Sequence, residues 1–354
     1  MTKRILVTGG CGFIGSNFIR LIHQERPDWQ IINVDVLTYA ANPYNLSDLQ
    51  DSSRYHFEQV DIADGDAVKR VFAAHQPDWV FHFAAESHVD RSIHGPEAFI
   101  RTNVMGTFAL LEAARHAWAE SSEGHLFLHV STDEVYGSLG DTGLFTEETS
   151  YDPSSPYSAS KASSDHLVRA YHRTYGLPMK LTNCSNNYGP YQFPEKLLPV
   201  MILNAAEGKN LPVYGDGKNV RDWLQVTDHC RALLAVAEQG RMGETYNIGG
   251  NCERSNLQVV EAICRGVATY LERDAQEILD RIVFVTDRPG HDFRYAIDSS
   301  KLQDETDWAP SVNFEEGLQD TIAWYLENGD WIEQVRSGAY RQWMELNYNE
   351  RQEA

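Results

Sequence analysis

A doubly wound α/β fold, with one parallel sheet covered by helices on both faces and a smaller, mostly helical second domain, is what this 354-residue chain predicts. Three observations carry the prediction. Short β-rich runs alternate with longer helical patterns throughout the first half. A glycine-rich turn, Gly9-Gly-Cys-Gly12-Phe-Ile-Gly15, separates the first run from the first helical pattern. After Asn186 the alternation gives way to proline, glycine and mixed short elements.

Taken in order, residues 4–8 are a strand of the buried type and residues 13–24 a helix. Residues 31–35 form the next strand and 64–75 a helix; 79–84 is again a strand, and a long helix over 96–119 opens with proline in its first turn. Residues 126–131 are a further strand, 156–175 a helix stopped by Gly176, and 179–184 another strand. Ligands on such sheets sit beyond the carboxyl ends of the strands. The glycine turn, residues 84–90 and residues 132–134 all follow strands directly, so all three should face one crevice. In the second half, helices recur at 227–239, 256–272 and 314–328, with one return to the sheet near 245–249. The division expected is 1–186, with a return segment near 225–250, and 187–354. The last twenty-five residues, aromatic and charged, read as helical and packed, with a frayed tail as the alternative.

Composition narrows the function classes. Thirty basic against 51 acidic residues give a formal net charge of −21, which repels phosphate backbones and anionic membranes. An anionic substrate would have to gather the few local cations against that field. Five cysteines with no Cys-x-x-Cys pair argue against a disulfide framework or a zinc site and fit reduced thiols in a cytoplasm. Lys3-Arg4 before Ile5 could imitate a signal peptide, but the glycine turn comes too early for its apolar stretch, and no later run is a membrane span.

A glycine-rich turn alone is only a tight strand-to-helix loop, and Gly-x-x-Gly-x-x-Gly is not the usual dinucleotide spacing. Context strengthens it. Asp35 ends the second strand twenty residues after Gly15, where a carboxylate takes ribose hydroxyls and repels a 2′-phosphate, so NAD is favoured over NADP. Asp61 is either a partner for adenine or a cap for the helix near residue 64. Tyr157 and Lys161 share a helix face at i, i+4. An ammonium there is expected to favour phenolate and lower the phenol's pKa from about 10.

With Tyr157-Ser-Ala-Ser-Lys161 beside the glycine turn, the chain resembles the extended short-chain dehydrogenase/reductase family, of Rossmann type. More narrowly it resembles the nucleotide-sugar 4,6-dehydratases that act on dTDP-glucose. The blocks that carry this are Ala84-Ala-Glu-Ser-His-Val-Asp-Arg-Ser92, Ser131-Thr-Asp-Glu-Val-Tyr-Gly137, Asn183-Cys-Ser-Asn-Asn-Tyr-Gly-Pro-Tyr-Gln-Phe-Pro-Glu-Lys196, Gly215-Asp-Gly-Lys-Asn-Val-Arg-Asp-Trp223 and Asp287-Arg-Pro-Gly-His291. They span essentially the whole chain.

The resemblance implies an NAD shell built from Phe13 and Ile14 beside Gly9, Gly12 and Gly15, then Asp35, Val36, Leu37 and Thr38. It continues through Asp61, Ile62, Phe83, Ala84, Ala85, Glu86, Ser87 and Thr102 to Tyr157, Lys161 and Asn187. For the nucleotide sugar it implies Ser87, Thr132, Asp133, Glu134, Asn186, Lys196 and Leu197. It adds Pro212, Val213, Tyr214, Arg221, Asn256, Arg288 and His291, and it implies a homodimer joined through the 96–119 and 156–175 helices. Three positions depart from the family pattern: Ala41, Gln225, where an aromatic is usual, and Phe293, where arginine is usual.

Dehydrating a hexose across C5 and C6 meets two obstacles, a non-acidic C5 hydrogen and a poor leaving group. Oxidation at C4 removes the first, and a carboxylic acid aimed at the C6 oxygen removes the second. Tyr157 is the expected base for the C4 hydroxyl with Thr132 bonding that oxygen, Glu134 the C5 base and Asp133 the C6 acid. Two neighbouring carboxylates on a regular strand point to opposite faces, so both reach one sugar only if the chain bends there. A 4-epimerase with the same cofactor has no need of the carboxylate pair. Dehydratases of CDP or GDP sugars, and a non-catalytic NAD-binding protein on the same fold, are the other readings.

Overall fold

The computed structural model of the chain describes residues 2–336. Strands β1 (Arg4–Thr8), β2 (Gln30–Asp35), β3 (Tyr55–Gln59), β4 (Trp79–His82), β5 (Leu126–Thr132) and β6 (Met179–Cys184) build one parallel sheet, which the later strand Thr245–Ile248 completes. Across the sheet the order is Thr245–Ile248, β6, β5, β4, β1, β2, β3. From β1 the chain winds outward first through β2 and β3 and then, on the other side, through β4 to β6. The reversal between β1 and β4 opens a crevice at their carboxyl ends. Thr8 lies at that point, in register with Val34 on one side and His82 on the other.

Burial explains why these runs are strands. Ile5, Leu6 and Val7 are at most 1% exposed, and every residue of β5 is buried, as a parallel sheet covered on both faces requires. Helices α1 (Phe13–Glu25), α2 (Gly65–His75), α3 (Val89–His94), α4 (Pro96–Phe99), α5 (Thr107–Ala117) and α6 (Pro156–Tyr175) cover it. Helix α6 has the predicted bounds. Ser155 and Ser158 form a reciprocal capping box at its start, Pro156 fills the first turn, and Gly176 stops it in the left-handed region at φ 68°.

The long helix expected over 96–119 is found over 96–117, but not as one regular α-helix. Between α4 and α5 residues Ile100–Gly106 adopt π-helical geometry. Within this stretch Asn103 is buried and turns its amide away from the helix. Its oxygen accepts from Glu86 N, and its Nδ2 donates to Glu86 O and to Ser160 Oγ. The irregular turn thereby ties the loop after β4 to α6.

The second half has its own core, around Tyr188, Leu198, Ile202, Trp223, Val260, Ile263 and Leu318. Its helices include Asn256–Leu271 and Phe314–Glu327. Two small sheets accompany them, Glu253–Ser255 with Val220–Gln225 and Asn186–Tyr188, and Ile282–Val285 with Leu211–Tyr214. A helix at Leu197–Glu207 occupies a stretch expected to be irregular. It is buried almost all round, so the sequence shows no polar face to mark it. Helix Val226–Gln239 and strand Thr245–Ile248 pack into the first core, through Cys230, Leu233, Tyr246 and Ile248. All five cysteines are unpaired, and among the described residues no helix is long and apolar enough to cross a membrane. Of the last twenty-five residues, expected to be helical and packed, the first few belong to a helix, Gly329–Val335, with Trp331, Ile332 and Val335 buried; the rest, beyond Arg336, lie outside the described residues.

Candidate active site

The glycine turn is shaped by close backbone approach. Gly9 is left-handed at φ 70°, and a Cβ there would stand 2.8 Å from the backbone of Ala84. A Cβ on Gly15 would strike the carbonyl oxygen of Gly9. No side chain caps α1, so its first N–H groups remain free for an anion at the positive end of the helix. At the end of β2, Asp35 accepts from Cys11 N at 2.9 Å and Leu37 N at 2.8 Å, one bond to each oxygen. Each oxygen keeps a lone pair for a ribose hydroxyl. The glycine cradle, the uncapped helix and this carboxylate fit a dinucleotide.

A single cavity of about 310 Å³ runs from this turn to Lys196. It is lined by Gly9, Gly12–Gly15, Asp35, Val36, Thr38, Asp61, Ile62, Phe83–Ser87, Thr102, Thr132–Glu134, Tyr157, Lys161, Asn186, Asn187 and Lys196. Leu37 is not in the lining; it is left-handed at φ 60° and contributes its N–H to Asp35. Asp61 accepts from Ala63 N and pairs with Arg101 at 3.0 Å, while the cap of α2 is Asp64. Of the two readings of Asp61, the helix cap is therefore set aside.

The bend that the carboxylate pair needs is present. Strand β5 ends at Thr132, and Asp133–Tyr136 continue as a 3₁₀ turn whose first N–H groups are met by Thr132, with Glu134 N donating to its hydroxyl at 3.3 Å. Asp133 is 1% exposed, and its Oδ2 has no hydrogen-bond partner. Burial pushes its pKa well above the usual carboxylate range, the charges of Glu134 and Asp222 add to this, and Arg221 opposes it. Glu134 is also raised by burial, but Arg288, Lys196 and Arg221 pull it back down. Both neighbours are thus raised by burial, but in opposite company: like charges add to the rise at Asp133, and three cations oppose it at Glu134.

Tyr157 and Lys161 lie on α6 facing the same end of the cavity, with Lys161 Nζ donating to Val130 O at 2.9 Å. The expected lowering of the phenol's pKa is not found. Burial raises it well above 10, Glu134 and Cys184 add to the rise, and the bond with Thr132 opposes it. In so closed a site desolvation dominates, and burial lowers the pKa of the Lys161 ammonium as well.

Lys196 reaches the cavity and donates to Ser87 O at 2.8 Å. The remaining predicted substrate residues, Leu197, Pro212–Tyr214, Arg221, Asn256, Arg288 and His291, lie outside the lining. Arg221 and Arg288 still border the site through their pull on Glu134. Arg221 stacks on Tyr295 at 4.2 Å and donates to the carbonyls of Val220, Asp292 and Phe293. Val213 is packed in the second core, so only its backbone can meet a ligand. Of the three departures, Ala41 lines the cavity, Gln225 caps helix Val226–Gln239 and Phe293 is exposed.

Some residues escaped the sequence reading. Cys184, Ser185, Gln192, Phe193 and Glu195 also line the cavity. Glu195 is paired with Arg91 at 3.0 Å, and the Arg91 guanidinium lies 3.7 Å over the Tyr39 ring, so the loops after β2 and β4 meet the second half at this cluster. Both Arg91 and Glu195 stand inside the motif blocks, but nothing in their spacing links them.

A sequence model of the family described as GDP-mannose 4,6 dehydratase matches residues 6–321. The dTDP-glucose 4,6-dehydratase of Shigella flexneri is 56% identical over 362 residues, covering 99% of this chain and 100% of that one. Among solved structures, the dTDP-glucose 4,6-dehydratase of Bacillus anthracis in complex with NAD superposes with a TM-score of 0.85 at 48% identity, over 94% of this chain and 100% of that chain. The Streptomyces venezuelae enzyme of the same name, with NAD and TYD bound, gives 0.87 at 46% identity, over 94% and 99%.

The site's electrostatics predict a stability change. A carboxyl whose folded pKa is raised binds more protons in the folded than in the unfolded chain, so its contribution falls as pH rises from about 4. Asp133→Asn removes that loss. The variant should melt higher than the parent at pH 7.5, with the gap closing toward pH 4.5; calorimetry showing a lower melting point at both pH values would count against a protonated Asp133.

Proposed function

The chain belongs to the dTDP-glucose 4,6-dehydratase family, and from that membership we propose that it converts dTDP-glucose to the 4-keto-6-deoxy sugar, with NAD reduced and reoxidised in each turnover. The observation that carries this reading is the pair Asp133 and Glu134, brought by one 3₁₀ turn into the same cavity as Tyr157 and Lys161, with like charges beside Asp133 and cations beside Glu134. A 4-epimerase has no work for that pair. Identity of 56% to a dTDP-glucose enzyme favours that nucleotide over CDP or GDP.

In this reading Gly9–Gly15, Asp35 and the α1 N-terminus hold NAD, and Lys196, Arg221 and Arg288 meet the diphosphate. When bound, NAD would supply the acceptor for the C4 hydride and the donor that returns it to C6. Tyr157 takes the C4 hydroxyl proton while Thr132 bonds that oxygen. Glu134, whose ionised form the three cations around it favour against burial, takes the C5 proton and later gives it back. Asp133 delivers its proton to the C6 hydroxyl, which leaves as water. The high proton affinity of Tyr157 means that it needs positive charge close by when it acts. Lys161 is one source, and the oxidised nicotinamide is a second.

The division into an NAD-binding part, 1–186 with a return segment near 225–250, and a nucleotide-sugar part, 187–354, belongs to the same reading. Two separate packed cores support it. A homodimer through the 96–119 and 156–175 segments is supported by Ile93, Ile100, Met105 and Phe108, which are 36–51% exposed along one stretch. Unpaired thiols support a cytoplasmic setting.

Three experiments test these points. A cofactor regenerated in place gains nothing by leaving, so the denatured enzyme should release NAD near one per chain; mainly NADP, or NADH accumulating in proportion to product, contradicts the cycle. Light scattering of the full chain should give the mass of two chains at micromolar concentration, and an active monomer ends the dimer reading. In single turnover with dTDP-glucose, Glu134→Gln should form NADH and stop at the 4-keto hexose, while Tyr157→Phe should form none. Loss of such an acid or base costs on the order of 10²–10⁴ in rate. Deuterium entering C5 from solvent at the parental rate in Glu134→Gln would show that another group is the base.

A further inference from the structure

Helix α6 carries a buried carboxylate one turn beyond Lys161 that the steps above do not use. Asp165 is fully buried. One of its oxygens accepts from Ser131 Oγ at 2.8 Å and from Tyr151 OH at 2.9 Å, and the other lies 3.1 Å from Nε2 of His129, which is equally buried. Three parts of the chain meet on this group: β5 through His129 and Ser131, the segment before α6 through Tyr151, and α6 itself. Ser131 immediately precedes Thr132. Tyr157, Lys161 and Asp165 follow one another at intervals of four on the same helix face.

We propose that Asp165 is a positioning residue for the redox pair, acting as the counter-charge of Lys161 and fixing the strand end that carries Thr132–Glu134 against the helix that carries Tyr157. The inference rests on the reading of Tyr157 and Lys161 given above. Burial opposes the charge of Asp165, but contacts with His129, Lys161 and Ser131 outweigh it and hold the carboxyl below its usual range. Burial likewise pulls Lys161 down, and Asp165 is the largest influence pulling it back up. Tyr136, which also feels the charge of Asp165, is raised above its ordinary range by burial and stays neutral. His129 and His82 behind it, with ring centres 5.1 Å apart, are both driven toward the neutral form by burial. Tyr151, which accepts from Arg169 at 3.0 Å, is raised beyond its ordinary range by burial, as is the Cys184 thiol, to about 12. That leaves Lys161, an ammonium whose pKa burial lowers, as the group whose charge the Asp165 anion supports.

The sign follows. Lys161 is an ammonium below its pKa, and removing the anion lowers that pKa, so activity that needs the ammonium is lost at a lower pH. The test is NADH formation in single turnover with dTDP-glucose, from pH 6 to 10, for the parent, Asp165→Asn, Ser131→Ala and Tyr157→Phe. Asp165→Asn should form NADH about 10- to 100-fold more slowly, as when an outer-shell partner is lost. Its alkaline limb should move down by about one pH unit or more, the size of one neighbouring charge, with KM and bound NAD unchanged. Ser131→Ala should slow the same step without moving the limb. A parental rate, or a slow rate with an unmoved limb, in Asp165→Asn overturns the proposal. If that variant does not fold, Ser131→Ala decides, and a parental rate there overturns it. NADH formed by Tyr157→Phe would instead sink the reading of the pair itself.

Discussion

The chemistry available to this chain depends on where β5 stops. Consecutive residues of a strand face opposite ways, so one more extended residue after Thr132 would send Asp133 and Glu134 to different sides of the sheet. Thr132 is still extended, at φ −139° and ψ 152°, and its hydroxyl accepts from Glu134 N as the backbone tightens into the 3₁₀ turn. The same hydroxyl faces the phenol of Tyr157. β5 can impose this because it is an inner strand, paired with β4 on one side and β6 on the other, with no exposed residue. A site placed at the end of such a strand inherits its rigidity.

Burial then sets the proton chemistry. At the carboxyl edge of a parallel sheet covered on both faces there is little water to solvate a charge, and each ionised form is disfavoured. Asp133, Glu134 and Glu86 are raised for this reason, and Lys161 and Lys196 are lowered. Acids and ammonium groups are thereby brought toward one another, which reduces the cost of moving a proton between a side chain and a sugar. What separates Asp133 from Glu134 is company rather than type. The first has Glu134 and Asp222 near it and an oxygen without a partner, and the second has three cations. In a chain of net charge −21 those cations are scarce, and Lys196, Arg221 and Arg288 are drawn from three separate segments.

Much of this was legible in the sequence because the sheet is regular. Strands β5 and β6 and helix α6 announce themselves through apolar runs, a serine–proline start and a glycine stop, and each functional turn follows a strand directly. What was not legible depended on groups distant in sequence. The π-helical stretch at Ile100–Gly106 goes with Asn103 bonding Glu86 and Ser160, 17 and 57 residues away. Helix Leu197–Glu207 has no polar face because it is buried on nearly all sides. The phenol's proton affinity could not be read from a Tyr-x-x-x-Lys spacing, since the spacing supplies the ammonium but says nothing of the burial around the phenol.

The glycine turn shows how a motif's spacing can mislead while its physics holds. Gly12 starts α1 at φ −80°, which any residue adopts, and a Cβ there would stand 3.2 Å from Gly9 O, a tight but adjustable contact. Gly10, which the spacing does not single out, faces Asn33 and Ile19 so closely that a Cβ would collide with both. Asn33 cannot yield easily, because it is fully buried and its amide already donates to Tyr55 and Cys11. The indispensable positions are therefore Gly9, against Ala84, Gly10, against the floor of β2, and Gly15, against Gly9 itself. They bring the start of α1 down onto the sheet so that its N–H groups and Asp35 share one cavity. The constraint that matters is two backbone approaches and one side-chain approach, which Gly-x-x-Gly-x-x-Gly satisfies only with a further glycine at its second position.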